Sequence, residues 1–201
     1  LARDRLGIKP LYVYQSEHAL LFASEVRSVL ASGLVPRRLD AMALEQFLAY
    51  QSVPPPRTLV EDVRMIAPGH LLLTGATRRG VERTYWDLLD SASPEARTAT
   101  IAESRVRVGD LRVEATRAHL VSDVPVGVFL SGGIDSSALV ALMHQAGVVP
   151  HSFGIAFPGT AYDESHYARV VAKACGAEHT EIALTEAEVC GQLPDAIASV
   201  D

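Results

Sequence analysis

Seven residues, Ser131-Gly132-Gly133-Ile134-Asp135-Ser136-Ser137, have the types and spacing that carry the clearest chemistry in this chain, and that chemistry is the holding of phosphate. Gly132 and Gly133 lack a Cβ, so they turn through angles closed to other residues and let an anion sit against main-chain N–H groups. The run Val126-Gly127-Val128-Phe129-Leu130 before them reads as a fully buried strand, and residues 138–143 after them as a helix. A loop in that place opens a helix whose first N–H groups lack internal partners and whose dipole favours negative charge. Ser131, Ser136 and Ser137 add hydroxyl donors. Asp135 is out of place beside an anion unless a cation lies between, which makes it a Mg²⁺ ligand, since that ion prefers hard oxygens and substrate phosphates. No Lys follows the second glycine, so a Walker-type loop is excluded. Gly-Gly alone would equally serve as a plain turn. A second candidate is the turn of Arg3 and Asp4, fixed by Gly7 and Pro10, whose charge pair suits a zwitterionic ligand, with an ordinary surface turn as the alternative.

The elements that position these groups follow from pattern. Residues 1–4 read as the end of a strand already under way. Strands at 11–14 and 20–23, joined by the turn at 15–18, form a hairpin. Ser24 caps a helix over 25–31 that Gly33 closes, and Asp40 caps another with Leu44, Phe47 and Leu48 on one face. Residues 51–58, with Pro54, Pro55 and Pro56, are an irregular connection. Tyr85-Trp86-Asp87 is a strand end with Trp86 as a core anchor. Residues 89–99, rich in Ser, Ala and Thr, are a linker. Thr100 and Glu103 form a capping box on a helix to Leu120, with Val108, Leu111, Ala115 and Ala118 as a buried stripe and Arg105, Arg107, Arg112 and Arg117 on a solvated face.

Beyond the loop, residues 151–157 read as a second buried strand, and strand–helix–strand of this length is the right-handed crossover of a parallel sheet. Ligands sit beyond the carboxyl ends of such strands, so an adenine fits near Leu130 and Ile155 on main-chain groups. Residues 162–165 start a helix with Asp163 as N-cap, with Ala168, Val171, Ala172 and Cys175 inward and Gly176 at its stop. A third strand spans 179–184, and Thr185 caps a last helix.

Composition limits the partners. The chain has 201 residues, 48% apolar, and a net charge of −6, with no basic cluster interleaved with aromatics, which speaks against nucleic acid. No run is long enough for a membrane span and no signal peptide is visible. Cys175 and Cys190 read as packing residues in a reducing compartment, so a cytoplasmic setting is expected.

Two strings carry a family resemblance. Residues 131–136 resemble the SGGxDS signature of the ATP-pyrophosphatase family, in which the loop grips the β- and γ-phosphates of ATP. With residues 122–130 they are most similar to the synthetase domain of glutamine-dependent asparagine synthetases. Residues 3–12, RDxxGxxPLY, resemble a late segment of class II glutamine amidotransferase domains, in which the Asp matched by Asp4 binds the α-amino group of glutamine. Residues 22–26, 53–59 and 67–72 resemble scaffold of the same family. The positions matched by Leu130 and Ile155 contact the ATP base and ribose.

The resemblance implies an α/β chain in three parts: the end of an Ntn-type αββα glutaminase domain over 1–88, the linker over 89–99, and over 100–201 the start of a doubly wound parallel-sheet ATP-pyrophosphatase domain of the adenine nucleotide alpha hydrolase-like type. It implies ATP-binding by Leu130, Ser131, Gly132, Gly133, Asp135, Ser136 and Ile155, and Mg²⁺ on Asp135 through pyrophosphate. The implied reaction makes asparagine from aspartate, glutamine and ATP through an aspartyl-AMP. A homodimer is compatible with it. The family's glutaminase nucleophile is an N-terminal Cys; Leu1 cannot serve, so no catalytic residue is expected within the chain, and these residues alone are expected neither to hydrolyse glutamine nor to complete the amide. Rival readings are a related ATP-dependent cyclase of the β-lactam synthetase or lasso-peptide cyclase kind, a nucleotide-binding module without catalysis, and an inactive gene fragment.

Overall fold

The computed structural model describes residues 1–75, 80–90 and 98–199. They fall into two units, residues 1–93 and 94–200, each with its own core.

In the first unit, β1 (Tyr12–Gln15) pairs antiparallel with β2 (Leu20–Ala23), and Ser16 closes the hairpin as its N–H and hydroxyl reach Ala19 C=O. After α1 (Val26–Ala31) and α2 (Ala41–Tyr50), β3 (Val63–Met65) joins the other edge of β1, giving the order β2-β1-β3. Alternation along the central strand fills both of its faces. Tyr14 packs with Val29, Val35 and Val63, whereas Val13 packs with Ile66 and Leu72. Leu72 belongs to β4 (His70–Leu73), which forms a second sheet with β5 (Val81–Thr84). Residues 1–3 run along the other edge of β4, through Leu72 N–H to Leu1 C=O at 2.8 Å and Arg3 N–H to His70 C=O at 3.0 Å.

In the second unit, α3 (Ile101–His119) leads to β6 (Gly127–Phe129), α4 (Ile134–Gln145), β7 (His151–Ala156), α5 (Ser165–Ala174), β8 (Glu178–Ala183) and α6 (Glu186–Ser199). The strands form a parallel sheet in the order β6-β7-β8, with Phe129 opposite Phe153 and Ile155 opposite Ile182. Val128 and Leu130 pack against Val140 and Met143 of α4 and Ala168 and Ala172 of α5. The chain is thus mixed α/β with a parallel sheet in its second half.

Several expectations hold. Asp40 Oδ1 caps α2 by accepting from Ala43 N–H at 3.0 Å. The Thr100–Glu103 capping box is complete, and Thr185 and Glu188 make the same reciprocal pair on α6. Ala168, Ala172 and Cys175 face inward on α5.

Others are corrected. The strands before and after the loop are covered on one face only: Val128 is buried while Phe129 is 83% exposed, and β7 alternates buried and exposed throughout. The apolar run was read as buried on both sides because period alone does not say how many faces are covered. On α3, Val108 and Leu111 are about half exposed and Ala115 and Ala118 are exposed; Thr116 is the buried residue, because α4 meets only the last turns of the helix. On α2 the buried side chain is Ala43, with Phe47 and Leu48 exposed. Glu25, not Ser24, occupies the N-cap of α1, and Glu164 that of α5, where Asp163 Oδ1 still accepts from Ser165 N–H at 3.2 Å. Trp86 is half-buried rather than core, with the Arg5 guanidinium 6.0 Å from its ring. Cys190 is exposed, in the wall of a cavity of about 680 Å³ beside the ends of β7 and β8. Of the expected linker, residues 91–97 lie outside the described residues, as do 200 and 201.

Burial and exposure make separate demands on stability. Ile66→Ala, at a fully buried position, is expected to lower the unfolding free energy of the chain by about 2–5 kcal/mol. Val108→Ala should stay within about 0.5 kcal/mol of the parent, and urea denaturation distinguishes the two.

Candidate functional site

The second unit builds its site where β6 leaves the sheet. Leu130 is buried in the core and donates its N–H to Phe153 C=O at 2.8 Å, which fixes the departure point at the carboxyl end of the strand. Gly132 follows with φ +86, a conformation side-chain-bearing residues rarely take. It is also tightly packed: a Cβ there would lie 2.7 Å from Tyr167 Cβ and 2.9 Å from Ala168 N, so the loop lies directly on α5. Gly133 is the N-cap of α4 in extended conformation and, having no side chain, caps nothing.

The consequence is a set of unfilled donors. Ser137 N–H makes the first helical bond, to Gly133 C=O at 3.0 Å. Among the described residues nothing accepts from the N–H groups of Gly132, Ile134, Asp135 or Ser136. The serines hold the bend closed. Ser136 Oγ donates to Gly133 C=O at 3.3 Å, so its contact with Ser131 Oγ at 3.1 Å is donated by Ser131, whose oxygen in turn accepts from Gly133 N–H at 3.4 Å. Of the four residues, Ile134 and Asp135 are exposed and Gly132 and Ser136 partly so. An array of free N–H groups at a helix N-terminus is an anion site in its geometry and its field.

Asp135 makes no hydrogen bond or ion pair among the described residues. It lines a cleft of about 510 Å³ between α3 and α4, together with Arg112, His119, Leu139, Leu142 and Met143. Among the described residues no group of three or more His, Cys, Asp or Glu could hold a metal by itself. One free carboxylate beside an anion site is the donor set of an ion that takes most of its ligands from phosphate oxygens and water, and Mg²⁺ fits that description.

Ile155 comes to the site through its strand. The β6–β7 ladder ends with the Leu130–Phe153 bond, and among the described residues no hydrogen bond joins Ile155 N–H to Leu130 C=O. Leu130 C=O and Ile155 N–H therefore lie past the end of that ladder, while the Leu130 side chain points into the core and that of Ile155 onto the open face. The sequence reading missed the wall that Tyr167 and Ala168 make against Gly132, since nothing in their spacing signals it.

Asp4 lies in the first unit. Its Oδ2 accepts from Ile8 N–H at 2.9 Å and its Oδ1 from Lys9 N–H at 3.0 Å, and these two amides, Lys9 first, hold its carboxyl below the ordinary carboxylate value. The expected Arg3–Asp4 charge pair for a ligand is not formed. Arg3 is only 7% exposed, and its guanidinium is spent on three main-chain carbonyls. A further open cleft, lined by Asp40, Arg57, Glu61, Asp62 and Arg64, is a poor anion site, because Arg57 pairs with Asp40 at 2.8 Å and Arg64 with Glu82 at 2.6 Å.

Comparison with known proteins agrees with both halves. Residues 1–86 match the family model of the glutamine amidotransferase domain, and residues 107–201 that of asparagine synthase. Asparagine synthetase [glutamine-hydrolyzing] 1 of Bacillus subtilis is 30% identical over 200 residues, covering 100% of this chain and 31% of the relative. Asparagine synthetase [glutamine-hydrolyzing] 3 of the same organism is 28% identical over 216 residues, covering 100% of this chain and 34% of its own length. Amidase chyE of Penicillium rubens is 32% identical over 213 residues, covering 98% of this chain and 31% of its own. The chain spans about a third of the length of these curated relatives. The two domain matches in this order, with likeness running from end to end, support reading the chain as part of a glutamine-hydrolysing asparagine synthetase.

Proposed function

We propose that this chain is the junction of a glutamine-hydrolysing asparagine synthetase, with residues 1–88 from an Ntn-type αββα glutaminase domain, 89–99 a linker, and 100–201 from a doubly wound ATP-pyrophosphatase-type domain. The observation that carries the reading is the set of N–H groups of Gly132, Ile134, Asp135 and Ser136 without an acceptor among the described residues, on a bend at the carboxyl edge of a parallel sheet where Ile134 and Asp135 are exposed. The open sheet face supports the doubly wound part. Phe129, Phe153, Ile155 and Ile182 line it, an apolar surface of the kind a second layer of helices covers.

In the proposed reaction an aspartate side-chain carboxylate oxygen attacks the α-phosphorus of ATP, and pyrophosphate leaves. Ammonia from glutamine then attacks the acyl carbon of the aspartyl-AMP, forming the amide C–N bond as AMP departs. The loop amides hold the β- and γ-phosphates, where charge builds as pyrophosphate separates, and fixed dipoles that need no reorganisation act on that charge. Asp135 would hold Mg²⁺, which would offset that charge. Leu130 C=O and Ile155 N–H are placed to bond an adenine edge, and Asp4 to hold the ammonium of glutamine. ATP, aspartate and glutamine are the proposed partners. A net charge of −6 disfavours nucleic acid, and two unpaired cysteines suit the cytoplasm; a homodimer is compatible.

The full-length protein should exchange labelled pyrophosphate into ATP when aspartate is present. Asp135→Ala is expected to slow that exchange by about 10²–10³-fold, the scale for losing one charge-stabilising group. Undiminished exchange in that variant would remove the metal role. Run against a panel of carboxylic acids, the assay should select aspartate; exchange with a different acid alone would move the protein to the cyclases. Gly132→Ala should abolish the exchange, since its Cβ cannot fit against α5 with the bend intact.

A further inference from the structure

Arg3 is an unusual residue by its surroundings. It is a guanidinium at 7% exposure that pairs with no carboxylate among the described residues, although Asp4 is next to it in sequence. Its Nε donates to Lys9 C=O at 3.1 Å, one Nη to Ile66 C=O at 2.7 Å and the other to Gly7 C=O at 2.8 Å. Its main chain is held as firmly: the N–H donates to His70 C=O at 3.0 Å, and Tyr85 Oη donates to its C=O at 2.7 Å. Gly7 has φ +66, and a Cβ there would lie 2.9 Å from the guanidinium, so the turn closes around Arg3 only with glycine at that place.

We infer that Arg3 is a positioning residue for the Asp4 carboxylate, its guanidinium holding the Gly7 and Lys9 carbonyls so that the Ile8 and Lys9 N–H groups aim that carboxylate outward. The two amides that grip Asp4 sit on the same short turn as two of the three carbonyls Arg3 grips, and Ile66 C=O ties that turn to the strand region beneath it. Asp4 C=O also accepts from the N–H groups of Gly7 and Gly69, both at 3.1 Å, so the turn is braced from either side. Each carboxylate oxygen takes one amide and keeps a second acceptor direction open to solvent. Two such oxygens on an exposed, firmly ionised carboxylate suit a primary ammonium, the amino group of a free amino acid. A Lys ammonium is a single point and cannot span three diverging carbonyls. The positive charge of Arg3 also acts directly on Asp4, but after the two amides. The amino-acid assignment rests on the glutaminase reading; the positioning does not.

The two are separable by experiment. In Arg3→Lys the Asp4 carboxyl, followed by ¹³C NMR titration, should move up toward its ordinary value of 3.8, because the anion loses aligned donors. Gly7→Ala keeps the cation but crowds both the guanidinium and Pro68 and strains the turn at its positive φ, and should move Asp4 the same way. In the full-length protein Arg3→Lys should raise the KM for glutamine about tenfold with kcat changed less than about twofold. An Asp4 titration unmoved in both variants overturns the inference, whatever happens to KM. If the titration moves but Asp4→Asn leaves the glutamine KM as it was, the glutamine reading falls and the positioning stands.

Discussion

A helix cannot satisfy the N–H groups of its own first turn, and the second unit is arranged around leaving α4 in that condition. At three other helices side chains fill such donors, whereas the N-cap residues of α1 and α5 make no side-chain cap bond. Asp40 caps α2, and reciprocal Thr–Glu pairs cap α3 and α6. At α4 the cap is Gly133, which offers nothing, and the residue before it is a glycine with positive φ. Solvent satisfies these amides cheaply while the site is empty, and an anion that displaces the water gains several aligned donors together. Binding energy is thereby available without any rearrangement of the loop.

That condition is expensive to misplace, and three features keep it in place. Leu130 ties the loop's first residue into the buried cluster of β6, α4 and α5. Tyr167 and Ala168 press on Gly132 from α5, so the bend is limited by backbone rather than by a movable side chain. The Ser131–Ser136 exchange closes the loop over the helix start. A bidentate pair between Arg169 and Glu181, at 2.8 and 3.0 Å, then ties α5 to β8. The chain of dependence runs from core packing through helix placement to the direction of four N–H bonds.

Local chemistry was legible in the sequence and coverage was not. Glycine spacing, the capping box at Thr100 and the apolar run into Leu130 each carry their meaning within a few residues, so the loop and its helix could be read directly. How many faces of a strand are covered depends on which elements arrive from elsewhere. Phe129 and Val128 look equally buried in sequence, yet a layer of helices covers only one of them. The stripe on α3 failed for the same reason. Arg3 failed in the opposite sense: a charged residue in a turn reads as exposed, and only the meeting of Gly7, Lys9 and Ile66 around it creates an interior. Asp4 was legible as a candidate, while the two amides that orient it were not.

The central claim is that unpaired amides at the start of α4 bind the terminal phosphates of a nucleotide, and amide NMR reads those groups one by one. On titrating the chain with inorganic pyrophosphate and Mg²⁺, the account expects the largest saturable shifts at the N–H groups of Gly132, Ile134, Asp135 and Ser136. Shifts confined to other parts of the chain, with these four silent, would contradict it.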